Sequence, residues 1–322
     1  MKYVEAAGVR MSAIGVGTWQ FGSREWGYGK DYAEGTAVDI VQRALDLGVN
    51  LIDTAEIYGF GASERIVGRA IAAVERDRAY LATKVFPVLP LAKIVEQRGR
   101  ASAGRLGVDT IDLYQVHWPN PVVPIGTTMD GMRRLQDAGV VTSVGVSNFS
   151  AGQWRAAEQS LGRPVVSNQV QYSLVARRPE REILPHAASA DRIVIAYSPL
   201  GQGLLSARYD ASNVPGGIRA GNALFLAENL ERAGELLTAL REVAASHDAK
   251  PAQVALAWVI RRNNVVAIPG ASSVEQLESN VAAADLELTD EEDERLTSAA
   301  DRFDPITGVG AAPSILRARL RR

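Results

Sequence analysis

Four side chains, Asp53, Tyr58, Lys84 and His117, have the types needed for an acid–base relay. A free tyrosine titrates near ~10, too high for efficient proton exchange at neutral pH. An adjacent ammonium favours the phenolate, so Lys84 beside Tyr58 is expected to lower that value, and a carboxylate at Asp53 would hold the lysine charged and in place. His117 follows the apolar run Ile111 to Val116 and precedes Trp118-Pro119, a context that favours a pocket wall over a packed core. The other two histidines, His186 and His247, lie in polar surroundings and read as surface residues. Taken singly, each group has an ordinary reading too: Asp53 as a turn cap, Lys84 as a surface lysine. Their weight comes from falling at corresponding places along the chain.

Short β-branched runs that read as strands begin at Ala13, Leu51, Tyr80, Ile111, Val141, Val165, Ile193 and Val265. A stretch with helical spacing follows each, which predicts βα units and a parallel sheet. Most starts lie near the ~30 residues of one βα repeat from the next, and the last gap leaves room for a loop and more than one helix. Eight strands at this spacing favour a (β/α)8 TIM barrel, one domain over residues 1–322. An open doubly wound sheet is the alternative, because strand order is not legible in one sequence. In a barrel the chemistry gathers where strands run into the following loops. Asp53 ends the second strand, Lys84 the third, His117 the fourth, Ser147 and Asn148 the fifth, Gln169 the sixth and Tyr197 the seventh. Tyr58 lies in the loop after strand two, beside Gly59 and Gly61, which permit tight turns and close backbone approach. Leu200 to Asn222, rich in Gly, Ser and Ala, reads as a long loop after strand seven and a candidate cofactor clasp. Pro251 is placed to open a helix running to Ile260, and Thr289 to cap an acidic one.

Composition excludes several classes. The chain has 322 residues, 47% hydrophobic and 22% charged, an ordinary globular balance. A net charge of -2 argues against nucleic acid as a partner. With no cysteine there are no disulfides, no thiolate nucleophile and no Cys-ligated metal. No apolar run approaches the ~20 residues of a membrane span, and Met1 to Arg10 lacks an apolar signal core, so a soluble cytoplasmic protein is expected. There is no GxSxG elbow and no Walker loop, and the absence of HExxH leaves no metal site to expect. The Rossmann glycine pattern is broken by Gln20 after Gly15 and Gly17, by Glu64 after Gly59 and Gly61, and by Ser206 after Gly201 and Gly203. Any dinucleotide is therefore held without that turn. The basic tail Arg317, Arg319, Arg321 and Arg322 reads as a solvated terminus.

From Ile14-Gly15-Val16-Gly17-Thr18-Trp19 to about Asn280 the chain resembles the aldo-keto reductase family. Leu51-Ile52-Asp53-Thr54-Ala55 with Tyr58-Gly59, Ala82-Thr83-Lys84-Val85 and Asp112 to Trp118 look like its first signatures. Gly145-Val146-Ser147-Asn148-Phe149, Asn168-Gln169, Ala196-Tyr197-Ser198-Pro199-Leu200 and Ile268-Pro269-Gly270 complete the set in order. The resemblance implies a barrel whose base is closed by an N-terminal hairpin, about Tyr3 to Met11. It implies NAD(P)H-dependent reduction of a small-molecule aldehyde or ketone, with Asp53, Tyr58, Lys84 and His117 as the catalytic tetrad. Tyr58 would give the proton, Lys84 and Asp53 would tune it, and His117 would orient the carbonyl. By the same resemblance Ser147, Asn148 and Gln169 hold the cofactor carboxamide and Tyr197 stacks on the nicotinamide. Ser198, Leu200 and Gly201 lie near the pyrophosphate, Asn280 on the adenine side, and Gly270 is a further cofactor-binding residue.

One departure concerns cofactor choice. Where many NADPH-specific members carry a Lys or Arg after strand eight, this chain has Gly270-Ala271-Ser272-Ser273, and Gln276 where Arg is frequent. A 2′-phosphate would rest on Ser272, Ser273 and the helix start that follows, without a guanidinium clamp. NADPH is favoured, with NADH or dual use open. Trp19, Trp26 and Trp118 are candidates for the substrate wall, and Asp304 to Pro313 for a cover over the mouth. The tetrad is equally compatible with a redox-sensing regulatory protein on the same barrel, or with physiological oxidation of an alcohol or sugar. The oligomeric state is not legible.

Overall fold

The computed structural model describes residues 1–23, 27–29, 33–216, 219 and 221–307. Strands β1 (Tyr3–Ala6) and β2 (Val9–Ser12) form an antiparallel hairpin. Its two turn residues, Ala7 and Gly8, both have positive φ, at 52° and 74°, as the favoured two-residue hairpin turns require. Val4, Ala6 and Met11 of the hairpin pack against Leu51, Ala82, Leu113, Ile193, Ile195 and Val266. The hairpin therefore plugs the barrel at the end where strands begin, as expected from the sequence.

Eight parallel strands follow: β3 (Val16–Gly17), β4 (Leu51–Asp53), β5 (Tyr80–Val85), β6 (Ile111–Val116), β7 (Val141–Ser147), β8 (Val165–Gln171), β9 (Ile193–Tyr197) and β10 (Val265–Ala267). They neighbour one another in chain order, and a parallel bridge between Ile14 and Ala267 joins the last to the first. Sequential order with closure is a (β/α)8 barrel and excludes the open doubly wound sheet. Seven of the eight expected strand starts coincide with observed ones. The first strand is shorter than expected, beginning at Val16 rather than Ala13. Before that point the backbone is committed to the closing partner: Gly15 N–H donates to Ala267 O, and Ala267 N–H to Ala13 O. Only Val16 and Gly17 then pair with β4.

Helices α1 (Glu34–Asp46), α2 (Ala62–Ile71), α3 (Ala92–Leu106), α4 (Ile125–Asp137), α5 (Ala151–Leu161) and α6 (Ile183–Ser189) alternate with the strands and cover the sheet. The long gap before β10 holds the glycine-rich loop and three helices, α7 (Ala227–Arg232), α8 (Gly234–Ser246) and α9 (Pro251–Val259). Pro251 is the first residue of α9, whose missing N–H costs nothing there, and Val254 to Val259 are all buried. After β10 come α10 (Val274–Val281) and α11 (Asp290–Arg302). Thr289 Oγ1 accepts from Glu292 N–H at 3.2 Å and the Glu292 carboxylate accepts from Thr289 N–H at 2.9 Å, a reciprocal cap.

His186 and His247 are half-buried rather than surface residues. The first meets Trp154 edge to face at 5.2 Å between ring centroids, and the second lies 2.9 Å from Glu292. Trp26, residues 308–313 of the expected mouth cover and the basic tail lie outside the described residues. The described start of that cover is tied to α7, Ile306 exchanging two hydrogen bonds with Asn229. Among the described residues no helix is long and apolar enough to cross a membrane, and no cluster of metal-ligating side chains occurs.

Candidate active site

Side chains two apart on a strand share a face, so the apolar floor Leu51, Ala82 and Leu113 is followed one step up the barrel by Asp53, Lys84 and Gln115. All three polar side chains are fully or almost fully buried. Lys84 Nζ donates to Asp53 Oδ1 at 2.5 Å, to Thr54 O at 2.9 Å and to Tyr58 OH at 3.3 Å. The other carboxylate oxygen, Asp53 Oδ2, accepts from Gln169 Nε2 at 2.7 Å and from Gln115 Nε2 at 3.3 Å. Gly145 makes room for this: a Cβ there would meet Ser167 Oγ at 2.5 Å and Gln115 Cγ at 3.0 Å.

The loop carrying Tyr58 continues the pairing of β4 and β5 beyond the strand end, with Thr54 N–H on Ala82 O and Glu56 N–H on Lys84 O. It then turns sharply through Gly59, Phe60 and Gly61, all at positive φ. Inside this frame the Tyr58 hydroxyl reaches the lysine. Its pKa is raised, contrary to the sequence expectation: burial penalises the phenolate by more than the Lys84 charge and hydrogen bond favour it, and Asp53 opposes the phenolate as well. Burial alone would lower the Lys84 pKa, but Asp53 and Tyr58 outweigh it and hold the ammonium above the ordinary lysine value.

His117 stands edge-on to Tyr58 at 5.8 Å and to Phe86 at 5.9 Å between ring centroids. Its Nδ1 is buried with no hydrogen-bond partner among the described residues, and burial followed by repulsion from Lys84 lowers its pKa to about 3. The ring is therefore neutral at physiological pH and available as a hydrogen-bond donor. A neutral buried base binds fewer protons than its unfolded counterpart between about 6.5 and about 3. Stability should accordingly fall as pH falls through that window, and contribute nothing pH-dependent above it. Denaturant melts at pH 7 and pH 4 should show a smaller acid loss for His117→Asn than for the unmodified protein; an equal loss would mean that His117 is not held neutral.

Around these groups opens a cleft of about 1710 Å³. Tyr58, His117, Ser147, Asn148, Gln169, Tyr197, Ser198, Leu200, Gly270, Ser272, Gln276 and Asn280 line it, together with Trp19 and Trp118. Asn148 is held at positive φ with Nδ2 on His117 O and Ser147 Oγ, while its Oδ1 accepts from Tyr197 OH at 3.0 Å. Ser147 Oγ in turn donates to Gln169 O at 2.9 Å. Gln169 thus reaches the cleft while its amide nitrogen is engaged by Asp53. Ser272 N–H and Oγ both contact Gln276 Oε1 at 3.1 Å, and Asn280 Nδ2 donates to Gly270 O at 3.3 Å. Two expected cofactor residues stand outside the lining. Ser273 is used as the α10 cap, accepting from Gln276 N–H at 3.2 Å, and Gly201 is buried where the long loop turns.

The cleft lining includes Arg208 and Arg219, both in the Leu200 to Asn222 segment expected as a cofactor clasp, and also Lys250, Ile57 and Phe60, which the sequence reading did not single out. Phe60 is 88% exposed. Period-two counting back from His117 would have found Gln115; nothing local marks Lys250 as cleft lining.

The lining fits a nicotinamide dinucleotide. The volume exceeds the ~300–1,000 Å³ of drug-sized sites. Amides, a tyrosine ring, hydroxyls, three cations and residues at the start of α10 all contribute to the lining. The comparisons with known proteins agree. A model described as the aldo/keto reductase family matches residues 13–301. An oxidoreductase of Mycobacterium tuberculosis is 54% identical over 323 residues, 100% of both chains. The NADH-specific methylglyoxal reductase of Escherichia coli is 32% identical over 305 residues, 88% of this chain and 92% of that one. A solved aldo-keto reductase of Klebsiella pneumoniae, in complex with NADPH, is 30% identical and covers 92% of this chain and 94% of its own, with a TM-score of 0.75. The chain therefore belongs to the aldo-keto reductase family, oxidoreductases that act on carbonyl and CH–OH groups with a nicotinamide cofactor.

Proposed function

We propose that the protein reduces an uncharged aldehyde or ketone with NADPH, Tyr58 giving the proton and His117 orienting the carbonyl. The observation that carries this reading is the Lys84 ammonium, fully buried between Asp53 and the Tyr58 hydroxyl beneath the cleft. A bound nicotinamide supplies hydride to the carbonyl carbon. Negative charge then builds on the carbonyl oxygen, and donors already in place stabilise it without reorganising. Tyr58 and His117 are those donors, and the raised pKa of Tyr58 keeps its proton in place until the oxygen becomes basic enough to take it. Asp53 and Lys84 hold Tyr58. Ser147, Asn148 and Gln169 would hold the carboxamide, and Tyr197 would take the nicotinamide ring. Trp19, Ile57, Phe60 and Trp118 offer apolar contact to the rest of the substrate.

Ser272 and Gln276 would hold the cofactor's 2′-phosphate, with no guanidinium at position 276. NADPH selectivity should accordingly be modest. Quenching of tryptophan fluorescence by NADPH and by NADH tests this reading. Saturable binding of both, within roughly tenfold of each other, is expected. Gln276→Arg should then raise the NADPH preference by about 10- to 100-fold, the worth of one or two charge-assisted hydrogen bonds. A folded protein that binds neither nucleotide would overturn the reading.

A further inference from the structure

We propose that Glu56 and Arg98 form a clamp that positions Tyr58 for proton transfer, so that Glu56 is a positioning residue of the reaction. The inference rests on the proposed role of Tyr58. Glu56 sits two residues before Tyr58, in the loop that leaves β4. Its Oε1 accepts from Phe86 N–H at 2.5 Å, just past the end of β5, the strand that carries Lys84. Arg98 on α3 grips the same carboxylate with two nitrogens, Nε on Oε2 at 2.9 Å and Nη2 on Oε1, and its Nη1 reaches Val88 O at 3.3 Å. The Glu56 side chain is 11% exposed and that of Arg98 26%, so this bidentate pair is largely shielded from solvent, unlike the many exposed ion pairs on the helices.

One carboxylate thus joins three parts: the Tyr58 loop, the end of the Lys84 strand and the helix behind them. Phe86, whose N–H it holds, also packs edge-on against His117. The need for such a clamp is geometric. The Tyr58 hydroxyl is already 3.3 Å from Lys84, at the long end of a hydrogen bond, and the loop beyond it turns through three consecutive positive-φ residues with no strand to fix them. Without the Glu56 side chain, the backbone link left between the two strand extensions at this level, among the described residues, is Glu56 N–H on Lys84 O at 3.3 Å. Misplacement of a reacting group by about 1 Å costs on the order of 10²-fold in rate.

The test is a double-mutant cycle on purified full-length protein, with turnover of an aromatic aldehyde, cofactor affinity by fluorescence, and the isotope effect with 4-deuterated NADPH. Glu56→Ala should lower kcat by about 10- to 100-fold, with cofactor affinity and the aldehyde KM changed by less than about threefold and the isotope effect raised. Glu56→Gln keeps an oxygen for Phe86 N–H and should recover most of the loss. In a Tyr58→Phe background Glu56→Ala should add almost nothing, because both changes remove the same positioned proton. Should Glu56→Ala prove unstable, Arg98→Lys provides the same cycle with one charge kept and the bidentate grip lost. Unchanged kcat in Glu56→Ala, or a loss that multiplies fully with that of Tyr58→Phe, overturns the clamp and leaves the role of Tyr58 standing. Full turnover in Tyr58→Phe itself would remove both.

Discussion

Tyr58→Phe should lose carbonyl reduction by about 10²- to 10⁴-fold, the usual share of a positioned general acid, while NADPH and NADH bind as before. The substitution deletes one oxygen and keeps the ring that stands edge-on to His117. Among the described residues that hydroxyl accepts one hydrogen bond, at 3.3 Å from Lys84, and Lys84 keeps Asp53 and Thr54 O, so the buried ammonium retains its partners. Stability should therefore change by no more than about 1 kcal/mol, the net worth of an ordinary hydrogen bond. The pH profile gives the second half of this result. Burial raises the Tyr58 pKa above the ordinary tyrosine value of 10.0, so the hydroxyl is protonated throughout the neutral range. Turnover in the reductive direction should be flat with respect to this group and fall only at alkaline pH, and the fall should be absent from the residual rate of Tyr58→Phe. Turnover at the unmodified level in that variant would remove Tyr58 from the reaction.

Lys84→Met should damage the protein twice. The ammonium is completely buried and bonded to Asp53 at 2.5 Å. Breaking a buried pair leaves the other charge uncompensated, at a cost of about 3–5 kcal/mol. The amides of Gln169 and Gln115 still donate to Asp53, so the lower end of that range, about 3 kcal/mol, is expected. The contribution has a definite pH signature. Lys84 is held above its ordinary value of 10.5 in the folded state, so its stabilisation is complete below that pH and disappears as pH rises through the folded value. Urea melts carried into the alkaline range above pH 10.5 should show the unmodified protein beginning to lose this increment, a loss the variant lacks. Rate should suffer as well. With the ammonium gone, only burial and Asp53 act on Tyr58, and both oppose the phenolate. A decrease in kcat of at least about 10²-fold is expected. A variant that turned over normally would show that Tyr58 needs no cation beside it.

The barrel was legible because its signal is local. Each strand needs only a short β-branched run, and each run stands one βα unit from the next. Seven of eight starts could be placed exactly from that rhythm. The first was not, because its residues divide their backbone between two neighbours, a division that exists only once the barrel closes. The polar strand ends Asp53, Lys84, His117, Asn148, Gln169 and Tyr197 were legible for a related reason: a parallel barrel sends every strand end to the same mouth, so order along the chain becomes position around a ring.

Quantities that depend on distance between chain segments were not legible. The sequence placed Lys84 beside Tyr58 and expected it to lower the tyrosine pKa. Only the packed structure contains the desolvation that reverses the sign, because burial is a property of everything that surrounds the hydroxyl. The same holds for Gln169 on Asp53, for Gln115 behind it, and for Ser273, whose hydroxyl the α10 cap uses. Glu56 and Arg98 lie forty-two positions apart, and no spacing rule connects them. Residue types and the βα period thus determined by themselves which groups would gather at the mouth. Tertiary structure decided which of them touch, how deeply each is buried and therefore which protons they hold, because Coulomb and desolvation energies are set by separation in space and by the local medium.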